Sequence, residues 1–259
     1  MAGTSIKFNN FELQNSDKYL ITNIDHRMLP QREVIDYANP RRSSVTVVDS
    51  FFSQKEIVVE GRVVGDTEQE LTTNINTLKK NLLDNEGNLD IEYGGNGEYL
   101  RYKATVNSFT VEESHYNTTR LPFTINFTSR PYGTDLTSQT GSATITSSPY
   151  SGSIDVGGSF GPFPIISWEV VSGTITRIKF TNTDSGDWIE FDTISLEAGD
   201  IITVNCEDRT IDINGATTDF KGVFPKFVPD VNNYEVEVVE DTTSDFEVTQ
   251  EIEYYETFL

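Results

Sequence analysis

The chain has 259 residues, 36% of them hydrophobic and 23% charged, with 41 Asp and Glu against 19 Lys and Arg and a net charge of −22. That length gives room for two compact domains or one large one, and no run of about 18 apolar residues exists to cross a membrane as a helix. So acidic a surface disfavours phosphate, because nucleic-acid affinity rests on cations that displace counterions, and sequence-specific nucleic-acid binding is not expected.

The charge is uneven. Residues 1–130 hold 14 Lys and Arg against 18 Asp and Glu, whereas residues 131–259 hold 5 against 23. So abrupt a shift implies two domains with different surroundings. A single cysteine, Cys206, leaves no intrachain disulfide framework and no cysteine metal site within one chain, and reads as a small buried or half-buried strand residue. Met1 to Thr4 lead straight into a strand-like segment, without the charged-then-apolar pattern of a signal peptide.

In chain order, Ile6, Phe8, Phe11 and Leu13 flank Asn9 and Asn10 as an opening hairpin. A strand follows around Tyr19, Ile21 and Ile24. Residues 27–44 are polar, carry Arg32, Arg41 and Arg42, and are punctuated by Pro30 and Pro40. Val45, Val47, Phe51 and Phe52 resume the apolar pattern. Such an excursion between strands reads as a long projecting hairpin or loop, of the kind that is usually functional or disordered.

Residues 67–83 form the one convincing helix. Thr67 and Glu70 make a capping box, Leu71, Ile75, Leu78 and Leu82 recur at helical spacing, and Lys79 and Lys80 suit the C-terminal end of the dipole. The apolar stripe needs a sheet beneath it, supplied by Ile57 to Val63 before and Leu89 to Tyr93 after. Gly94, Gly95 and Gly97 make a turn. Tyr99 to Val111 and the alternating Leu121, Phe123, Ile125 and Phe127 are further strands, and Arg130-Pro131-Tyr132-Gly133 closes a domain at residues 1–133.

Residues 134–160, rich in Thr, Ser and Gly, read as a connection with some strand content. Short strands at regular spacing through residues 161–245, with Asn214-Gly215 as a hairpin turn, imply a β-sandwich. The final stretch alternates Phe246, Val248, Ile252 and Tyr254 with acidic and polar residues, and is expected to return to the first domain as a strand, residues 246–259. The fold class is therefore mainly β: an N-terminal sandwich-like domain with one helix and a projecting hairpin, plus a second sandwich.

No catalytic, cofactor or metal site emerges. His26 and His115 are far apart, lack partner motifs, and read as surface histidines. Asp184-Ser185-Gly186-Asp187 lacks the spacing of a calcium loop and reads as a turn. Trp168 and Trp188 are the candidates for stacking on a sugar, although each is embedded among alternating apolar residues, which favours a core position.

The order of several stretches resembles the distal tail protein family of long-tailed bacteriophages. These are Ile57 to Gly65 running into the capped helix, Leu89 to Gly94, Tyr99 to Ala104, the closing Arg130 to Gly133, Pro164, Thr181 to Gly186, Leu196 to Asp200, Arg209 to Gly215, Gly222 to Asn232, and the tyrosine-rich acidic end at Tyr254, Tyr255, Phe258 and Leu259. The resemblance implies a structural virion protein and not an enzyme. It implies a homo-hexameric ring at the distal end of the tail, with a central channel for DNA passage. The major tail tube protein lies above and the tail-associated tip protein below, and a galectin-like or carbohydrate-module-like outer domain carries receptor-binding proteins. It implies synthesis in the bacterial host cytoplasm, no cofactor and no membrane insertion. On that reading Arg32, Arg41, Arg42, Val45 and Val47 lie in a hairpin that joins neighbouring subunits. The alternative is an adhesin that binds host glycans through Trp168 or Trp188.

Overall fold

The computed structural model describes residues 5–259 except 16, 39–44, 84–85, 94–96, 113–118, 193 and 242–244, and for residues 34–51 it describes the backbone alone. The chain divides into two compact units, residues 1–136 with 259, and residues 137–258.

The first unit opens with a hairpin of β1 (Ile6–Phe8) and β2 (Phe11–Glu12). Asn9 and Asn10 both take positive φ, 48° and 66°, which a two-residue hairpin turn requires and asparagine tolerates. There follow β3 (Tyr19–Asp25), β4 (Arg32–Ala38), β5 (Val45–Phe52), β6 (Lys55–Val64), helix α1 (Glu68–Leu82), β7 (Glu86–Tyr93), β8 (Glu98–Val111) and β9 (Arg120–Ser129). Antiparallel pairing gives the order β2-β1-β7-β8-β9-β6-β3. That sheet is wrapped on itself. Phe8 on β1 and Phe127 on β9 are three places apart in the order, yet their ring centroids lie 5.3 Å apart, where a flat sheet would hold them about 14 Å apart. Phe11 on β2 and Tyr19 on β3, from opposite ends of the order, meet at 5.7 Å. The enclosed core contains Ile57, Val59, Phe123, Ile125 and Phe127.

The helix is capped as expected. Thr67 Oγ1 accepts the Glu70 N–H at 3.1 Å, and Glu70 reaches back to the Asp66 N–H at 3.0 Å. Its buried positions are Leu71, Asn74, Leu78 and Leu82, so Asn74 takes the place in the stripe expected for Ile75. Asn74 is held there because its side chain donates to the Val64 carbonyl at 2.7 Å; its backbone carbonyl also accepts the Tyr19 hydroxyl at 3.1 Å. Gly65 allows the close passage from β6 into the helix: a Cβ there would lie 2.4 Å from the Leu71 nitrogen.

The second unit contains most of β10 (Gly133–Ile145), then β11 (Tyr150–Val156), β12 (Ile165–Ser172), β13 (Ile175–Asn182), β14 (Trp188–Phe191), β15 (Ile201–Asn205), β16 (Thr210–Ile213), β17 (Ala216–Thr217), β18 (Lys221–Gly222), β19 (Asp230–Glu240) and β20 (Glu247–Phe258). They form two layers, β17-β16-β15-β12-β20-β10 and β11-β19-β13-β14-β18. One core, with Trp168, Phe180, Phe191, Phe227 and Ile252 at its centre, lies between them. Asn214 and Gly215, at φ 53° and 80°, turn β16 into β17 with Ile213 opposite Ala216.

Two expected boundaries are corrected. The final strand does not return to the first unit: β20 runs antiparallel to β12, with Ile252 opposite Ile166 and Gln250 opposite Trp168. Its alternating Val248, Gln250, Ile252 and Tyr254 are buried, with the three apolar residues in the second core. Only Leu259 falls with the first unit. The stretch 134–160 is likewise no mere connection, since it supplies β10 and β11, and β11 pairs with β19 over seven consecutive residues, Tyr150 to Val156.

Candidate assembly site

The predicted excursion is a hairpin. Strands β4 and β5 pair only with each other among the described residues, from Arg32 opposite Phe52 to Ala38 opposite Val45, with a register shift between Ile35 and Asp36. Val47 faces Asp36 across the ladder, and Val45 and Val47, two apart, share one face of β5. Arg32 is exposed at the base. Arg41 and Arg42 lie outside the described residues. A two-stranded ribbon is marginal in water unless something packs on it.

Its base is held by contacts. Ser53 donates to the Gln31 carbonyl through both its N–H, at 2.7 Å, and its hydroxyl, at 2.9 Å, which pins the strands where the hairpin leaves the unit. Beside this closure lies a groove of about 430 Å³ whose walls combine apolar Met28, Leu29 and Pro30 with charged Asp25, Lys55 and Glu56. Met28 and Leu29 are 68% and 71% exposed, an unusual pair of apolar neighbours to leave in water.

Beneath the base sit two buried basic groups that sequence reasoning missed. Lys55 is 2% exposed, its Nζ has no hydrogen-bond partner among the described residues, and it lies 5.3 Å from the centroid of the Tyr102 ring. Burial holds its pKa below the usual lysine value, with Asp25 acting in the opposite direction. Burial also pushes the Tyr102 phenol up to about 12. His26, expected at the surface, is buried with an unpartnered Nδ1. Burial lowers its pKa, and Arg27 and Lys55 add to that; a hydrogen bond with the Ile24 backbone and the Asp25 charge oppose it. His115 lies outside the described residues. The signal for Lys55 was present in the sequence, because it has the same parity as the inward-facing Ile57, Val59 and Val63.

The tryptophans separate. Trp168 is 1% exposed, stands against Phe180 and Phe191 and donates from its indole nitrogen to Gln250 at 3.2 Å. It fills the core and has no face for a sugar. Trp188 is half-buried, with the Lys179 ammonium 5.8 Å from its ring centroid and the Gly222 backbone against its ring edge. Next to it, Val223 donates to the Trp188 carbonyl at 2.8 Å, and Phe220 and Phe224 pack at 5.0 Å. Phe220 and Val223 are both exposed, which makes a small apolar patch.

The remaining candidates resolve as structure. The Asp184 carboxylate accepts both the backbone N–H and the side-chain amide of Asn233, so the 182–187 segment is a braced turn. Cys206 is buried, and burial pushes its thiol up to about 12. The two layers of the second unit differ in charge. On β13, Arg177 pairs with Glu190 and Glu237, and Lys179 with Glu237. Strands β10, β12, β15, β16, β17 and β20 contain no lysine or arginine, while Glu169 and Glu251 are exposed on the paired β12 and β20.

Residues 157–258 match the family model described as siphovirus-type tail component, C-terminal domain, named for the Dit protein of phage SPP1. Over 99% of this chain and 100% of its own, the fold is similar to that Dit protein, whose structure is described as a paradigm of the hub adsorption apparatus in phages infecting Gram-positive bacteria; the TM-score is 0.75 and the identity 17%. A chain of the phage P2 baseplate in its activated conformation with calcium aligns over 96% of this chain and 97% of its own, at 12% identity and a TM-score of 0.44. No curated protein matches in sequence. The resemblance drawn from the order of sequence stretches is matched by the family model over residues 157–258, and the fold is similar along the whole chain.

Proposed function

We propose that this chain is a structural subunit of a phage tail hub, six copies of which close into a ring at the distal end of the tail. The observation that carries the reading is the lone β4–β5 hairpin, set on a chain whose fold is similar to a hub protein and whose second unit matches a siphovirus-type tail component. A ring of identical subunits needs a head-to-tail interface, in which one surface projects and a different one receives. The hairpin is the projecting surface, and its open strand edges allow backbone pairing with a neighbour. Arg32, Arg41, Arg42, Val45 and Val47 are the contacts assigned to it.

The same reading places the tail tube protein on one side of the ring, the tip protein on the other, and DNA passing through the central channel. A chain with a net charge of −22 gives that DNA few cations to bind. The second unit takes a receptor-binding protein, for which the patch of exposed Phe220 and Val223 with Phe224 is an apolar surface. The protein performs no catalysis in this role. A glycan-binding role would rest on Trp188 alone, since Trp168 is in the core.

Replacing residues 34–50 by a short Gly-Ser turn tests the assignment. The variant is expected to keep its circular dichroism and to sediment as a monomer under conditions in which the full chain assembles. Assembly that survives the replacement would overturn the hairpin's role.

A further inference from the structure

We propose that the base of the β4–β5 hairpin is an acid-sensitive hinge, in which protonation of His26 adds a buried positive charge to the base that also holds buried Lys55 and releases the closure of Ser53 on Gln31. The two groups come from the two ends of the hairpin excursion: His26 directly follows β3, and Lys55 opens β6. Both are buried, and neither the histidine Nδ1 nor the lysine Nζ has a hydrogen-bond partner among the described residues. A buried cation without such a partner is costly, and the Tyr102 ring at 5.3 Å offsets only part of that cost for Lys55.

The charged groups that act on His26 are Arg27 and Asp25 on its own segment and Lys55 on β6. The two cations oppose its protonation, and exposed Asp25 favours it. The direction of the effect follows by linkage. His26 is lowered from 6.5 in the closed base, so the open base binds the proton more readily. Closure is therefore fully favourable above the open-state pKa and is lost progressively as pH falls through that value toward the closed-state one. Histidine is the side chain suited to respond in this range. The positions of Met28 and Leu29, exposed between His26 and Gln31, mean that opening the base moves an apolar segment as well as the hairpin.

This hinge is a property of one chain and does not rest on ring closure. The test is hydrogen exchange of the full-length protein at about pH 7.5 and about pH 5.5, corrected for intrinsic exchange rates, with the mass in solution recorded at each pH so that loss of assembly is seen separately. Amides of residues 32–38 and 45–52 are expected to lose protection by roughly threefold or more at the lower pH, while those of Phe123 to Phe127 keep theirs. In His26→Gln the loss is expected to disappear. In Lys55→Met it is expected to shrink, with protection at Phe123 to Phe127 reporting that the variant is folded. No loss in the natural chain, or an equal loss in His26→Gln, would overturn the proposal whatever the mass shows.

Discussion

Asn182 shows how a single polar residue can hold a loop to a core. It is fully buried, its side-chain oxygen accepts the N–H groups of Asp184 and Ser185 at 3.0 and 3.3 Å, and its amide donates to the Lys226 carbonyl at 3.2 Å. Truncating it strands several backbone groups at once, so Asn182→Ala is expected to destabilise the second unit by about 2–3 kcal/mol, measured by urea denaturation; a cost within ~0.5 kcal/mol would contradict the account. Residues of this kind were hard to read in advance. Asn182 was legible as part of a turn, but its burial depends on Lys226, 44 positions away. His26, expected at the surface, is buried, and no partner motif in the sequence marks that burial. Lys55 has the inward parity of its strand, although a lysine in an alternating strand ordinarily takes the wet face.

Among the elements, the helix and the hairpins declared themselves most plainly. Local chemistry decides both: Thr67 and Glu70 fix the start of α1, and Asn9-Asn10 and Asn214-Gly215 supply the positive φ their turns need. The helix face was read one residue out. Periodicity alone chose Ile75, whereas the fold buries Asn74, which satisfies both the end of β6 and the Tyr19 hydroxyl. The stripe itself is firm, and Leu78, fully buried at its centre, is the position to probe. Leu78→Ala is expected to cost about 2–5 kcal/mol, measured by denaturant unfolding. Gly65→Ala is expected to be damaging as well, because the added carbon would strike the helix backbone at Leu71 and could be accommodated only by moving the helix away from β6.

For the whole molecule, the division into two units was legible from charge, with the first unit expected to end at 133 and ending at 136, whereas the strands within 134–160 were not. Residues 134–160 lack apolar runs because their strands are short of buried positions: β10 and β11 show mostly exposed and half-buried residues, so their pairing had no hydrophobic signature. The final strand had the opposite difficulty. Its alternation was clear, yet alternation does not say which sheet a strand joins, and the second unit's core, with Ile252 opposite Ile166, is what claims it. The hairpin was legible as a polar excursion between Pro30 and Val45, bounded by strands and without apolar periodicity of its own. The hairpin pairs with no other described strand, and the proposed link between this chain's form and assembly rests on that.

The most direct test of that link is the mass of the purified chain by light scattering coupled to size exclusion, followed by negative-stain imaging. A particle of six times 29.1 kDa that images as a ring is the expected result. A chain that stays monomeric at every concentration tried, and forms no ring when mixed with tail tubes from which the hub is missing, would contradict it.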